Sequence, residues 1–333
     1  MRKLALVAAL GLACTTVSVP AMAADDPSQC TWAVSKVPAP SGYDPAFTRV
    51  KGTDSHGNYA GTSRRPGTNT NDVVLWTNGQ PHVVQELAHL GGLEVRGENS
   101  AGTVLVSGRI PGQQRLLVLL YSGGHQGTGT ITELVAPEGY QLSAPDTLNE
   151  RGDVLGGAVR LADGASVGLV WSTVAAAPRI IERSDGIPED LDDDGTVLLR
   201  RDGGGYLWRD GQLTRLADEG RQIYPQAIRG GKVVGYRLDG SWPSSQSLLW
   251  DSNGNVQNIQ DGGTAYAVNA GGLITGERSD IMGRASVWRD TAFQSELPYP
   301  DGVTGVFELF VVGNDDSLFS HAYSHGPLRW TCA

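Results

Sequence analysis

Beyond the apolar run Leu4–Leu12, no segment approaches the roughly 20 consecutive apolar residues that a membrane-spanning helix needs, so no membrane span is expected. Long helical periodicities are few, which argues against a helical domain. Basic residues number 26 against 36 acidic ones, and a chain this acidic is a poor candidate for nucleic-acid binding. The six histidines show no metal-ligand spacing, and His321 and His325 on one strand face would lack a third ligand. Cysteine is scarce, with three in 333 residues.

What is present begins with residues 1–23, which read as a secretory signal: Arg2 and Lys3, the apolar run, then Ala21-Met-Ala23 as a small-residue cleavage site. A lipoprotein reading at Cys14 is opposed by Gly11-Leu12-Ala13, which lacks the leucine usual three residues before the modified cysteine. Removing the signal takes two of the 26 basic residues and none of the acidic ones, leaving 24 against 36, a formal −12. A secreted, extracellular product is therefore expected, with Cys30 and Cys332 left to pair in an oxidising compartment. A loop of about 300 residues puts the contribution of that bond at roughly 5 kcal/mol in the chain-entropy account.

Forty-five glycines and short Val/Leu/Ile runs bounded by Gly, Asn and Asp indicate an all-β chain. One phrase recurs along it, clearest in Thr264–Asp290: an Asn/Asp-x-x-Gly turn, a Val/Leu-rich strand, then a strand ending in tryptophan before a polar turn. The inner turns are Asp54–Gly57, Asn99–Gly102, Asn149–Gly152, Asp192–Gly195, Ile228–Gly231, Asn269–Gly272 and the most degraded, Gly313–Asp316. The strand ends are Trp76, Tyr121, Trp171, Trp208, Trp250, Trp288 and Trp330, spaced 37 to 50 residues apart, as a four-stranded blade requires. The expected fold is a seven-bladed β-propeller of four-stranded antiparallel blades, a single domain within residues 24–333. Cys30–Val37 should form an N-terminal strand completing the last blade, with the disulfide at the seam, and a monomer is expected. The strand-end aromatics should pack between neighbouring blades.

Ala267–Gly276 followed by Arg284-Ala-Ser-Val-Trp288 resembles the extracellular repeat proteins named for a His-Ala-Phe tripeptide, whose units read roughly A-x-x-I-N-x-x-G-x-V-x-G and then H-A-F-x-W. Arg284 and Ser286 stand where His and Phe would be, and His321-Ala-Tyr323 falls on a different strand. The resemblance implies a secreted bacterial propeller and leaves its activity open.

Longer connections, such as Arg64–Asp72, Asp239–Ser247, Pro38–Pro45 and Pro298–Gly305, should emerge on one face, where binding is expected. Six residues after the inner-turn glycine, Arg201, Arg237 and Arg278 occupy one slot of three consecutive blades. As an arc of guanidiniums they would suit an anionic ligand, an acidic glycan or cell-wall polymer; alternatively each pairs with a neighbouring acid. Trp242, beside Tyr236 and Arg237 in the chain, is a candidate stacking platform for a sugar ring. Six residues before the glycine stand Lys51, Arg96, Asp146, Glu189, Tyr266 and, one residue closer, Gln226, placed to line the mouth of the central channel. Asp146 and Glu189 would there be a carboxylate pair for glycoside hydrolysis.

Three motif matches carry less. Gly164-Ala-Ser166-Val-Gly168 fits a nucleophile elbow but leads from a loop into a strand. Asp190, Asp192 and Asp194 resemble a calcium loop whose twelfth position is Arg201 in place of Glu. Arg151-Gly-Asp153 is an inner turn. The expected function is non-enzymatic recognition of an extracellular glycan, cell-wall polymer or protein through the loop face, without a cofactor; the alternative is a glycan hydrolase or lyase using the channel carboxylates.

Overall fold

The computed structural model describes residues 30–173, 177–239, 245–279, 284–306 and 311–332. The signal reading and Trp242 lie outside the described residues. By its contacts the chain divides into Met1–Cys30 and Thr31–Ala333. The second unit is a ring of seven four-stranded antiparallel sheets, each a meander of consecutive strands except at the seam. There the N-terminal strand Trp32–Lys36 pairs with Gly326–Cys332, from Trp32 opposite Cys332 to Lys36 opposite Leu328. Cys30 and Cys332 are disulfide-bonded.

Blades are held to one another by the strand-end aromatics. Trp250 packs among Leu198, Leu207 and Leu216 of blade four, and Trp330 among Leu273, Ala285 and Val287 of blade six. Trp76, Trp250, Trp288 and Trp330 are fully buried. Their indole N–H groups donate to the connection preceding their own blade, at Pro38, Ala217, Gln260 and Pro298 respectively, over 2.7–2.8 Å. Truncating such a side chain costs roughly 3–5 kcal/mol, against about 1 kcal/mol for one hydrogen bond, so packing dominates and the bond sets orientation.

A second tie runs through the inner turns. Asn149 Oδ1 accepts from Arg151 N (3.1 Å) and Asp153 N (2.8 Å), closing its own turn, while its Nδ2 donates to Asp192 O of the next blade (2.9 Å). Asn269 does the same toward Gly313 O at 2.8 Å. The Asp192 carboxylate accepts from Gly230 N and Gly231 N, each 2.7 Å. This answers why the turn position favours Asn and Asp: one short side chain bonds two backbones.

Blade five departs from the expected register. Its inner turn is the two-residue hairpin Gly230-Gly231, with Arg229 paired to Lys232, and not a turn opening at Ile228. Both glycines have positive φ, +57° and +74°, which a side chain would strain. One residue fewer in this turn is why Gln226 stands one residue closer to the glycine.

Replacing Asp192 by alanine orphans two backbone donors of the next blade, at a cost of roughly 1–3 kcal/mol. Asp192→Ala is expected to lower Tm by several degrees in calorimetry, and an unchanged Tm would refute the inter-blade role.

Candidate functional site

The innermost strands enclose a central cavity of about 300 Å³. Among the described residues six blades carry a β-bulge in the innermost strand, and the extra residues at those bulges are Lys51, Arg96, Asp146, Glu189, Gln226 and Tyr266. All six line the cavity. A bulge leaves its extra residue unpaired and re-aims it, so one backbone irregularity delivers six side chains to the channel. The repeat glycine opposite explains itself here. A Cβ on Gly61, Gly156, Gly235 or Gly276 would meet the carbonyl oxygen of Arg49, Ala144, Tyr224 or Thr264 at 2.8 Å or less, because the bulge presses the inner strand against its neighbour.

Charge is segregated around the ring. Lys51 and Arg96 come from blades one and two, and Arg96 pairs with Glu94. Asp146 and Glu189 come from blades three and four, and Glu189 accepts from Arg200 Nε at 2.6 Å. Asp146 has neither a hydrogen bond nor an ion pair among the described residues. It is exposed to channel solvent yet walled in by protein. That enclosure pushes its pKa up to about 6, with Arg96 pulling it down and the Glu189 charge adding to the rise. Gln226 and Tyr266 complete the arc; burial pushes the Tyr266 phenol up. Tyr236 stacks on Tyr224, ring centroids 5.0 Å apart, and lies within electrostatic reach of Tyr266 and Arg200.

On the turn face the channel is bridged. Asn314 Nδ2 of blade seven donates to Glu150 Oε1 of blade three at 3.0 Å, and these blades are not neighbours, so the bond crosses the opening. Asn314 also donates its backbone N–H to Ser55 Oγ (2.8 Å) and accepts from Ala270 N (3.1 Å). Blade seven has the most degraded turn sequence, and its Asn314 makes this bridge.

The three arginines of the shared slot are engaged within their own blades or the connections leading into them. Arg237 meets Glu219 at 2.6 Å and Asp239 at 3.1 Å; Arg278 meets Glu296 at 3.6 Å and lies over the Phe293 ring. Arg201 donates to Ser184 O (2.9 Å), stands 3.8 Å from Asp202 and lies over Tyr206. The calcium-like aspartates likewise face protein donors: Asp190 accepts from Ile228 N and Arg229, Asp192 from the two glycines, and Asp194 from Thr196 N. Among the described residues no group of three His, Cys, Asp or Glu side chains is arranged to hold a metal ion. Ser166 opens the antiparallel strand Ser166–Trp171 and is followed by no helix, so it is no nucleophile elbow.

One group escaped the sequence reading. Glu98, 8 % exposed, lines the channel wall and holds His125 Nε2 at 2.6 Å, while His125 Nδ1 meets Thr77 Oγ1 at 2.9 Å. Burial pushes the Glu98 carboxyl up against the opposing pull of His125, and its Oε2 has no partner. The signal was there: the residue before the inner turn is Leu148, Leu191, Val268 and Val312 in blades three, four, six and seven, so a glutamate in that slot is anomalous.

A carboxyl whose folded pKa is raised binds its proton more tightly in the folded chain than in the unfolded one, where aspartate titrates near 3.9. Asp146 therefore costs stability as pH rises from about 4 through 6, and the cost is complete above that. Asp146→Asn is expected to melt above the parent at pH 7.5, with the two curves converging near pH 4; an equal gap at both pH values would contradict the assignment. No family model and no curated protein matches the chain. Among solved structures it is similar to an oligogalacturonate lyase from Vibrio parahaemolyticus, with TM-score 0.57, 10% identity, and 91% of this chain and 96% of that one covered. It is also similar to Chaetomium thermophilum Raptor, with TM-score 0.54, 13% identity, and 92% and 29% covered. A prolyl endopeptidase gives TM-score 0.54 at 12% identity, with 87% and 50% covered. At such identities the likeness is one of fold alone.

Proposed function

We propose that this chain is a secreted, non-enzymatic recognition protein that takes an extracellular glycan at the loop-face mouth of its central channel. The carrying observation is that six blades direct six polar or charged side chains, from one bulge position, into a cavity of about 300 Å³. Repeat positions that only pack are apolar in nearly every blade, whereas this one converges donors and acceptors on a concavity at the small end of ligand-pocket volumes, about 300–1,000 Å³. Gln226, Glu189 and Asp146 offer hydroxyl partners, and Tyr266 an aromatic face. The anionic-polymer version is weaker, since the guanidiniums it relied on each have an acidic neighbour. Secretion is supported by the residue pattern of 1–23 and by the disulfide.

One observation favours a second reading, a glycan hydrolase or lyase. Asp146, pushed up to about 6, adjoins Glu189, which is tied to a guanidinium, and carboxyl groups so differentiated suit acid and base roles.

A thermal-shift and calorimetric screen of the mature protein against glycans tests both. Recognition predicts a Tm rise of several degrees with a saturating glycan, about 2.7 kcal/mol at a hundredfold excess over Kd, reduced by Gln226→Ala combined with Tyr266→Ala and accompanied by no new reducing ends. Cleavage that is lost in both Asp146→Asn and Glu189→Gln would replace the first reading by the second. Failure of every glycan to shift Tm would end the glycan proposal.

A further inference from the structure

We infer that Asp146 is the anchor for a cationic group, the ammonium of a small amine-bearing ligand such as an amino sugar, held in the channel beside Glu189. The inference rests on the channel being the binding site, as proposed above, and adds the charge of what it takes.

Of the charged bulge residues, Arg96 has Glu94 and Glu189 has Arg200, and Lys51 is also engaged. Asp146 alone of the four has no such partner among the described residues. Five acidic and three basic side chains line the cavity, an acidic excess of two that favours a cation there. A carboxylate exposed in the channel but closely flanked by protein is less well solvated than one on the open surface, and a matching ammonium both neutralises it and satisfies its oxygens. The charged groups within reach of Asp146 are Arg96 and Glu189, opposite in sign, so neither alone decides its state.

The ligand is an organic ammonium in preference to a metal ion, because a single unengaged carboxylate cannot supply the several oxygens that a hard cation demands. Asp146 also borders a second cavity of about 190 Å³ between blades three and four, lined by Ser143, Ser166 and Arg183. An amine seated on Asp146 thus has room for a hydroxylated body on either side.

Isothermal titration of the mature protein with glucosamine, glucose and N-acetylglucosamine at pH 6 tests this without any variant, since the three differ chiefly in the group at one carbon. Glucosamine is expected to bind at least tenfold more tightly than either neutral sugar, to weaken with added salt, and to release protons, read from buffers of different ionisation enthalpy. Asp146→Asn should erase the preference, with its melting curve verifying the fold. Equal binding of all three sugars, or no binding of glucosamine, would overturn the ammonium anchor; the glycan reading itself falls only if the wider glycan screen also fails.

Discussion

Trp32–Lys36 supplies the strand that the seventh repeat lacks, and the rest of the ring depends on that pairing. Without it the Gly326–Cys332 strand would present an open edge, and the channel would have no fixed circumference. With the ends paired and bonded through Cys332, every blade is packed on two sides. The interfaces are then equivalent in principle: an aromatic from one blade enters the apolar face of its predecessor, and an Asn or Asp ties the inner turns together.

Rigidity at the periphery allows irregularity at the centre. Each bulge gives up regular pairing in the innermost strand, and the glycine opposite yields the space that the displaced backbone needs. Because the repeat solves this backbone problem once, the bulged side chain is released from packing and differs from blade to blade. Opposite signs therefore collect on adjacent arcs of one channel, with Lys51 and Arg96 beside Asp146 and Glu189. At the turn-face end that arrangement is bridged by Asn314 and Glu150.

Fold similarity does not choose between recognition and catalysis, since at these identities the likeness is one of fold alone. The chemistry of the site chooses more finely. Guanidiniums that meet acids on their own blade have little charge left for an external anion, whereas an enclosed carboxyl without a partner favours a cation. Burial of Glu98 behind the same wall adds a polar group whose second oxygen is unsatisfied, a departure from the apolar pattern at that position.

The blade number, the closing strand and the six channel residues were legible in the sequence because they recur at fixed offsets from a turn, and local periodicity is what a linear reading detects. The bulge itself was not visible, although the repeat glycine opposite it is its mark. Blade five was misread by one residue because two adjacent glycines, Gly230 and Gly231, allow either turn length until strand pairing selects one. Ion pairing of Arg201, Arg237 and Arg278, the isolation of Asp146 and the Glu98–His125 contact were decided only by the tertiary structure. Each depends on which side chains strand pairing and the connections bring within a few ångströms, and the Arg237–Glu219 and Glu98–His125 contacts join residues 18 and 27 positions apart. Sequence by itself determined the scaffold and the slots facing its axis; folding determined which charges in those slots were already answered and which one was not.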